Sequence, residues 1–191
     1  MPLMLILFSI PSLIYLVVRK IRGDQLQNIF KDMGWQTSRS LYYLWGLGLL
    51  IVLGVLGQLA FQTIPGEILQ DTNINISAYQ GMSLSLASFL LILFRESIYV
   101  ALGEEIFFRG LLGGWLVRKF GFALGNILQA AAFLLPHLLL FLISFSLWPI
   151  LIVQTFAGWL LGWLRHRSGS ILPGWVVHSL INTLGALIIL R

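Results

Sequence analysis

The sequence predicts an all-α, polytopic membrane protein, a transmembrane helical bundle of six spans, and three observations carry that expectation. Of its 191 residues, 58% are hydrophobic and 10% are charged, and the mean hydropathy is +0.91. Soluble domains carry roughly a quarter of their residues as charges. Several apolar runs approach the ~20 residues needed to cross a bilayer. These runs are continuous rather than alternating, and in lipid only helices or closed barrels satisfy every backbone polar group. The length fits one integral membrane domain over residues 1–191, with no room for a separate soluble one.

The elements follow in order. The first apolar segment covers roughly residues 2–18, is interrupted by Pro11 and is followed by Arg19-Lys20. It lacks a basic leading region, so it reads as a retained span rather than a cleaved signal peptide. Residues 19–40 mix charge with Leu26, Ile29, Phe30 and Trp35, the pattern of an interfacial stretch lying on the cytoplasmic surface; a plain connecting loop fits equally. The second span is read over 41–64. The third starts near Ser83 and continues as helix to about Lys119, the fourth covers 121–143, the fifth 148–164 and the sixth 171–190. Gly158-x-x-x-Gly162 in the fifth is a small-residue packing motif, and Trp35, Trp148 and Trp175 suit interfaces.

Charge sets the expected orientation. Arg19, Lys20, Arg22, Lys31, Arg39, Arg109, Arg118, Lys119, Arg165 and Arg167 fall on one side, while the loops PGEILQDTNINISAYQ and SFSLW hold no Lys or Arg. Cytoplasmic loops are enriched in Lys and Arg, which predicts a multi-pass protein of the plasma membrane with both termini outside. The net charge of +5 is therefore a topology signal, and no nucleic-acid partner is expected. The absence of cysteine excludes disulfides, thiolate metal sites and cysteine nucleophiles.

Against this background LGEEIFFRG, residues 102–110, is out of place, because charges inside a bilayer are costly and usually functional. Glu105 and Arg109 are i and i+4 with the acid first, the favourable order for an ion pair. Glu104 is turned about 100° from Glu105 on an α-helix, so the two acids are expected to face different surroundings. One acid is then neutralised by Arg109 and holds the helix, and the other is free for chemistry. His178 and Asn182 are also i and i+4 and share a face of the last helix. At 1.5 Å per residue, Glu104 lies about 22 Å and His137 about 27 Å from Lys119, and His178 about 16 Å and Asn182 about 22 Å from Arg167. All four fall in one layer. A carboxylate kept from water serves as base and then acid, and an Asn amide can donate to an oxyanion. Arg95 and Glu96 read as a local ion pair or a helix break, and His166 as a solvated loop residue.

EEIFFRG, then Phe133-x-x-x-His137, then His178-x-x-x-Asn182, in that order over roughly residues 83–190, resembles the three signature motifs of the CAAX-protease and bacteriocin-processing (CPBP, or Abi) intramembrane protease family. The resemblance implies a CAAX-protease-like core and an intramembrane endopeptidase whose Glu104 activates water with His137 as its partner. It implies that His178 and Asn182 orient the carbonyl and stabilise the oxyanion, with Glu105 and Arg109 supporting. The expected substrate is a hydrophobic or lipidated peptide or protein, met in membrane lipid. Glu104, His137 and His178 would also make a Zn²⁺ ligand set, but the H-E-x-x-H motif is absent, and a metal-free site is favoured. The alternatives are a non-catalytic member of the fold, acting as immunity factor, scaffold or assembly subunit, and, more weakly, a small proton-coupled transporter.

Overall fold

The computed structural model describes residues 3–188 and 190, and every described element of regular structure is helical. Pro2 of the expected first span and Ile189 of the expected sixth lie outside the described residues. Helix α1 (Leu3–Ile21) runs through Pro11 and ends on Arg19 and Lys20. It is followed by the short amphipathic α2 (Leu26–Met33), which buries Ile29 and Met33 and is closed by Gly34 at φ 77°. Positive φ is cheap only for glycine, which is why the helix stops there. The span α3 (Ser40–Gln62) leads into a connection carrying α4 (Gly66–Leu69) and a 3₁₀ turn, Asn75–Tyr79.

The central run departs from regular α-helix. It opens with α5 (Leu86–Phe94), whose first turn is capped by the Ser85 hydroxyl accepting the Ser88 N–H at 3.1 Å. Arg95–Ala101 is π-helical, α6 (Leu102–Glu104) is a single α turn, and Glu105–Gly113 is again π-helical before α7 (Gly114–His137) begins. π-Winding is rare and concentrates at functional sites. Here it coincides with the charged motif.

Within α7 the chain reverses at Gly121, where φ is 77° and ψ 168°. The returning arm packs so closely that a Cβ on Gly125 would sit 2.7 Å from the Val117 backbone. The reversal brings Gln129 against Gly113 and Phe133 against Phe108. After 3₁₀ turns at Leu138–Leu142 and Phe145–Leu147, α8 (Trp148–Ser168) and α9 (Leu172–Leu187) complete the bundle. Gly158 and Gly162 face α7: a Cβ on Gly158 would meet Phe133 and Ala130, and one on Gly162 would overlap Asn126 and Gln129.

Four runs are long and apolar enough to cross a membrane, one of them the 57-residue stretch Leu86–Leu142. That stretch doubles back at Gly121, and α9, at 16 residues, is shorter than the four. Large apolar side chains stay on the outside, Ile51 and Leu142 among them, as lipid-facing helices require. The π-wound run sits at the centre, flanked by α1, α7 and α9.

The two ends of the bundle differ. At one end Arg19 pairs with Asp24 and Asp32, and Arg118 Nη1 and Arg165 Nη2 donate to the Asp32 carbonyl at 3.1 and 3.3 Å. Gln36 Nε2 donates to the Gly169 carbonyl, Ser170 Oγ to the Gln36 carbonyl and the Ile171 N–H to the Gly34 carbonyl. Residues 32–36 are thus a strap bonded across the ends of α7, α8 and α9, rather than a stretch lying free on the surface. His166 sits in the last turn of α8, not in a loop, and stacks on Phe122. The opposite end carries the connections 63–85 and 138–147.

Candidate active site

A cavity of about 610 Å³ opens among α1, α3, the π-wound run, α8 and α9, and Glu104, His137, His178 and Asn182 all line it. The four residues read from the sequence therefore meet at one hollow, although they come from three separate helical passes. Ligand pockets are of this size, mostly apolar with a few convergent polar groups.

The fit of the polar groups begins with His178. Its Nδ1 lies 2.9 Å from Glu105 Oε1 and its Nε2 lies 3.5 Å from Glu104 Oε2. A carboxylate accepts, so Nδ1 carries the proton in this contact. One imidazole thus bridges the two adjacent acids. As the sequence predicts, the two acids face different surroundings, Glu105 beside Arg109 and Glu104 on the cavity. What the sequence did not show is the His178 ring between them, whose two nitrogens approach one acid each.

Glu105 and Arg109 are wholly buried, with Oε1 and Nη1 3.1 Å apart. The same Oε1 faces His178, so Glu105 stands between the guanidinium and the imidazole. Gly174 makes room for it, since a Cβ there would lie 3.2 Å from Glu105 Oε2. The Arg109 guanidinium lies 4.0 Å above the Phe133 ring, a cation–π contact inside the bundle. The same ring, 1% exposed, touches Phe108, His137 and His178. The sequence offered Phe133 as the first residue of the second motif; its ring is the neighbour of residues from all three.

His137 closes the set. Its Nδ1 lies 2.8 Å from the Phe133 carbonyl, which can only accept, so Nδ1 bears the proton and Nε2 is left for the cavity. Asn182 is part-exposed on the cavity wall, and its amide has no side-chain hydrogen bond among the described residues.

Three contributions were not foreseen. Glu96 lines the cavity and does not pair with Arg95. Its Oε1 accepts from the Tyr79 hydroxyl at 2.6 Å and from Asn75 Nδ2 at 3.1 Å, while the Arg95 guanidinium lies over the Tyr79 ring. Burial, with the Glu96 carboxylate beside it, pushes the Tyr79 hydroxyl well above its ordinary range, so it remains a donor. Met4 and Phe8 of α1 form a second wall, held close because Gly103 lets α1 approach: a Cβ there would lie 2.8 Å from Leu5 Cα. Trp175 does not stand free at an interface; its Nε1–H donates to the Ser97 carbonyl in the first π segment.

No three His, Cys, Asp or Glu side chains converge as a metal site among the described residues, Glu104, His137 and His178 included. The residues as placed do not fit a resident Zn²⁺.

No curated protein and no solved structure matches the chain. A family model described as type II CAAX prenyl endopeptidase Rce1-like matches residues 86–184, just over half of the sequence and the whole of the three-motif region. By that match, the chain belongs to the Rce1-like family of type II CAAX prenyl endopeptidases, an all-helical membrane protein of a protease family.

Proposed function

We propose that this protein is an active intramembrane endopeptidase that hydrolyses a peptide bond of a membrane-associated or lipidated peptide with a glutamate-activated water. The observation that carries the reading is the convergence of Glu104, His137, His178 and Asn182 on one cavity.

Glu104 is the base. It takes a proton from water held between it and the bare Nε2 of His137, and the hydroxide oxygen bonds to the peptide carbonyl carbon. The resulting oxyanion is met by the Asn182 amide N–H groups, a contact type whose loss costs about 10²–10³ in turnover. The C–N bond then breaks, and the proton on Glu104 passes to the leaving amine, restoring the carboxylate. Glu105 is a positioning residue: it holds the His178 Nδ1 proton, so that Nε2 faces Glu104 and the substrate. Arg109 offsets the Glu105 charge, which leaves Glu104 as the acid available to water.

The orientation that goes with this reading places the basic end in the cytoplasm and both termini outside, in the plasma membrane. The test is cleavage of a fluorogenic lipidated hydrophobic peptide by purified protein. Wild type should cleave it, with Glu104→Ala and His137→Ala lower by two orders of magnitude or more. Equal rates in all three, or none in wild type, would replace this reading with a non-catalytic member of the fold.

A further inference from the structure

The ties of the strap leave part of the basic end uncommitted. Against residues 31–36 lies a second cavity of about 360 Å³, which shares no lining residue with the larger one. The exposed side chains of Lys31 and Arg118 mark its mouth, and Arg109 and Gln129, each 1% exposed, mark its floor. Four of its lining side chains are cationic, Lys31, Arg109, Arg118 and Arg165, against one acid, Asp32. That acid is already engaged, its Oδ2 lying 3.2 Å from Arg19 Nη1. Arg118 and Arg165 reach only the Asp32 backbone carbonyl. The cavity therefore carries a surplus of positive charge in partly enclosed surroundings, where an anion is held more strongly than in open water.

The floor supplies a second, independent observation. Buried polar groups almost always have hydrogen-bond partners. Yet Gln129 Nε2 and Oε1 both lack one among the described residues, as do Arg109 Nε and Nη2 and Arg165 Nε. Arg109 turns Nη1 towards Glu105 at 3.1 Å and keeps its other donors free. The Gln129 side chain sits in a slot opened by two glycines: a Cβ on Gly113 would lie 3.1 Å from its Cγ, and one on Gly162 would overlap its Oε1.

These groups select a ligand chemistry. Free guanidinium N–H groups pair with carboxylate or phosphate oxygens. Cations arriving from α2, the π-wound run, α7 and α8 suit a phosphate, whose oxygens point in several directions, better than a planar carboxylate. Gln129 presents one donor group and one acceptor, whichever way its amide is turned. Its acceptor is met only by an O–H or N–H, so a bare oxyanion leaves it unsatisfied. The volume, at the lower end of ligand pockets, admits a phosphate with a small hydroxylated substituent.

We infer that the second cavity binds a phosphate ester of a polyol, with Arg109 and Arg165 on the phosphate and Gln129 on a hydroxyl. That chemistry occurs in the headgroup of an anionic glycerophospholipid and in a soluble polyol phosphate. The inference does not rest on the hydrolase reading, and it holds for either orientation of the bundle.

The test titrates purified protein in non-ionic detergent with phosphatidylglycerol, with phosphatidylcholine of the same acyl chains and with glycerol 1-phosphate, following the melting temperature. A ligand that binds only the folded state raises it as its concentration passes the dissociation constant. Phosphatidylglycerol should raise it and phosphatidylcholine should not. A rise with glycerol 1-phosphate too identifies the headgroup as sufficient, so that a soluble ligand serves; a rise with the lipid alone identifies a membrane lipid as the source. Gln129→Leu keeps every charge and so separates a built site from general attraction to an anionic surface. Without ligand it should melt no lower than wild type, because it removes an unpartnered buried amide. With ligand it should need about tenfold more phosphatidylglycerol for the same rise. Lys31→Gln alters an exposed side chain with no hydrogen bond or ion pair among the described residues. It should need several-fold more lipid, and it keeps the test open if Gln129→Leu does not fold. Equal rises with the two lipids, an affinity unchanged in the variants, or no rise with any of the three probes would overturn the inference.

Discussion

The two ends of this bundle are built on opposite principles. At the basic end, polar side chains are spent on holding elements together: Asp32, Gln36 and Ser170 stitch the strap to three helices, and Arg109 is committed to Glu105 and the Phe133 ring. At the far end, polar groups are left with capacity to spare: Glu104 has a 3.5 Å approach to His178, His137 keeps Nε2 bare, and Asn182 has no side-chain partner among the described residues. A membrane protein tolerates unspent polar groups only where they face water or a ligand. The difference teaches that one end spends its strap's polar groups on holding helices together while the other keeps its own open to the larger cavity, with Glu105 between the two.

Substitutions can break that comparison or sharpen it. The largest effect is expected at Glu104: Glu104→Gln keeps shape and removes the base, so peptide cleavage should fall by about 10²–10⁴, with an unchanged melting temperature in detergent. A large drop in melting temperature instead would move Glu104 to the stabilising end. Next is Arg109→Leu, which strands a buried carboxylate. Breaking a buried pair costs about 3–5 kcal/mol, read as a lower melting temperature, and the double variant Glu105→Gln with Arg109→Leu should regain much of it while activity stays low. That split between regained stability and lost turnover separates the two jobs of Glu105. Asn182→Ala should lower turnover by about 10²–10³ through the missing oxyanion donor, with KM and melting temperature little changed. The smallest effect is Gln36→Ala, which removes one tie from the strap and should cost about 1 kcal/mol of stability with turnover intact.

Much of this was legible because lipid leaves few options. Long apolar runs between clusters of basic residues give helices and their order, and polar residues inside such runs stand out, which is how Glu104, His137, His178 and Asn182 were found. What stayed hidden depends on departures from regular winding and on distant contacts. The i, i+4 spacing gave the Glu105–Arg109 pair, but no residue in LGEEIFFRG announces a π segment or the His178 ring that stands between the two acids. Glu96 was read with its neighbour Arg95, yet its partners, Tyr79 and Asn75, come from a connection with no helical period. The strap was ambiguous because an eight-residue amphipathic helix looks the same whether it rests on lipid or on protein; Ile29 and Met33 bury against protein.

The walls supplied by Met4 and Phe8 bear on how far this core can be reduced. The family match begins at residue 86 and leaves the first two spans outside it. Yet Gly103, one position before the first glutamate, is shaped to receive the backbone of α1, and Leu53 and Phe61 supply another side of the hollow. A chain trimmed to 86–184 would keep every motif residue and lose the α1 and α3 walls of the hollow that Glu104 lines. The complete hollow thus needs more chain than the family match covers, and exchanging the first spans would change its walls without touching a single motif.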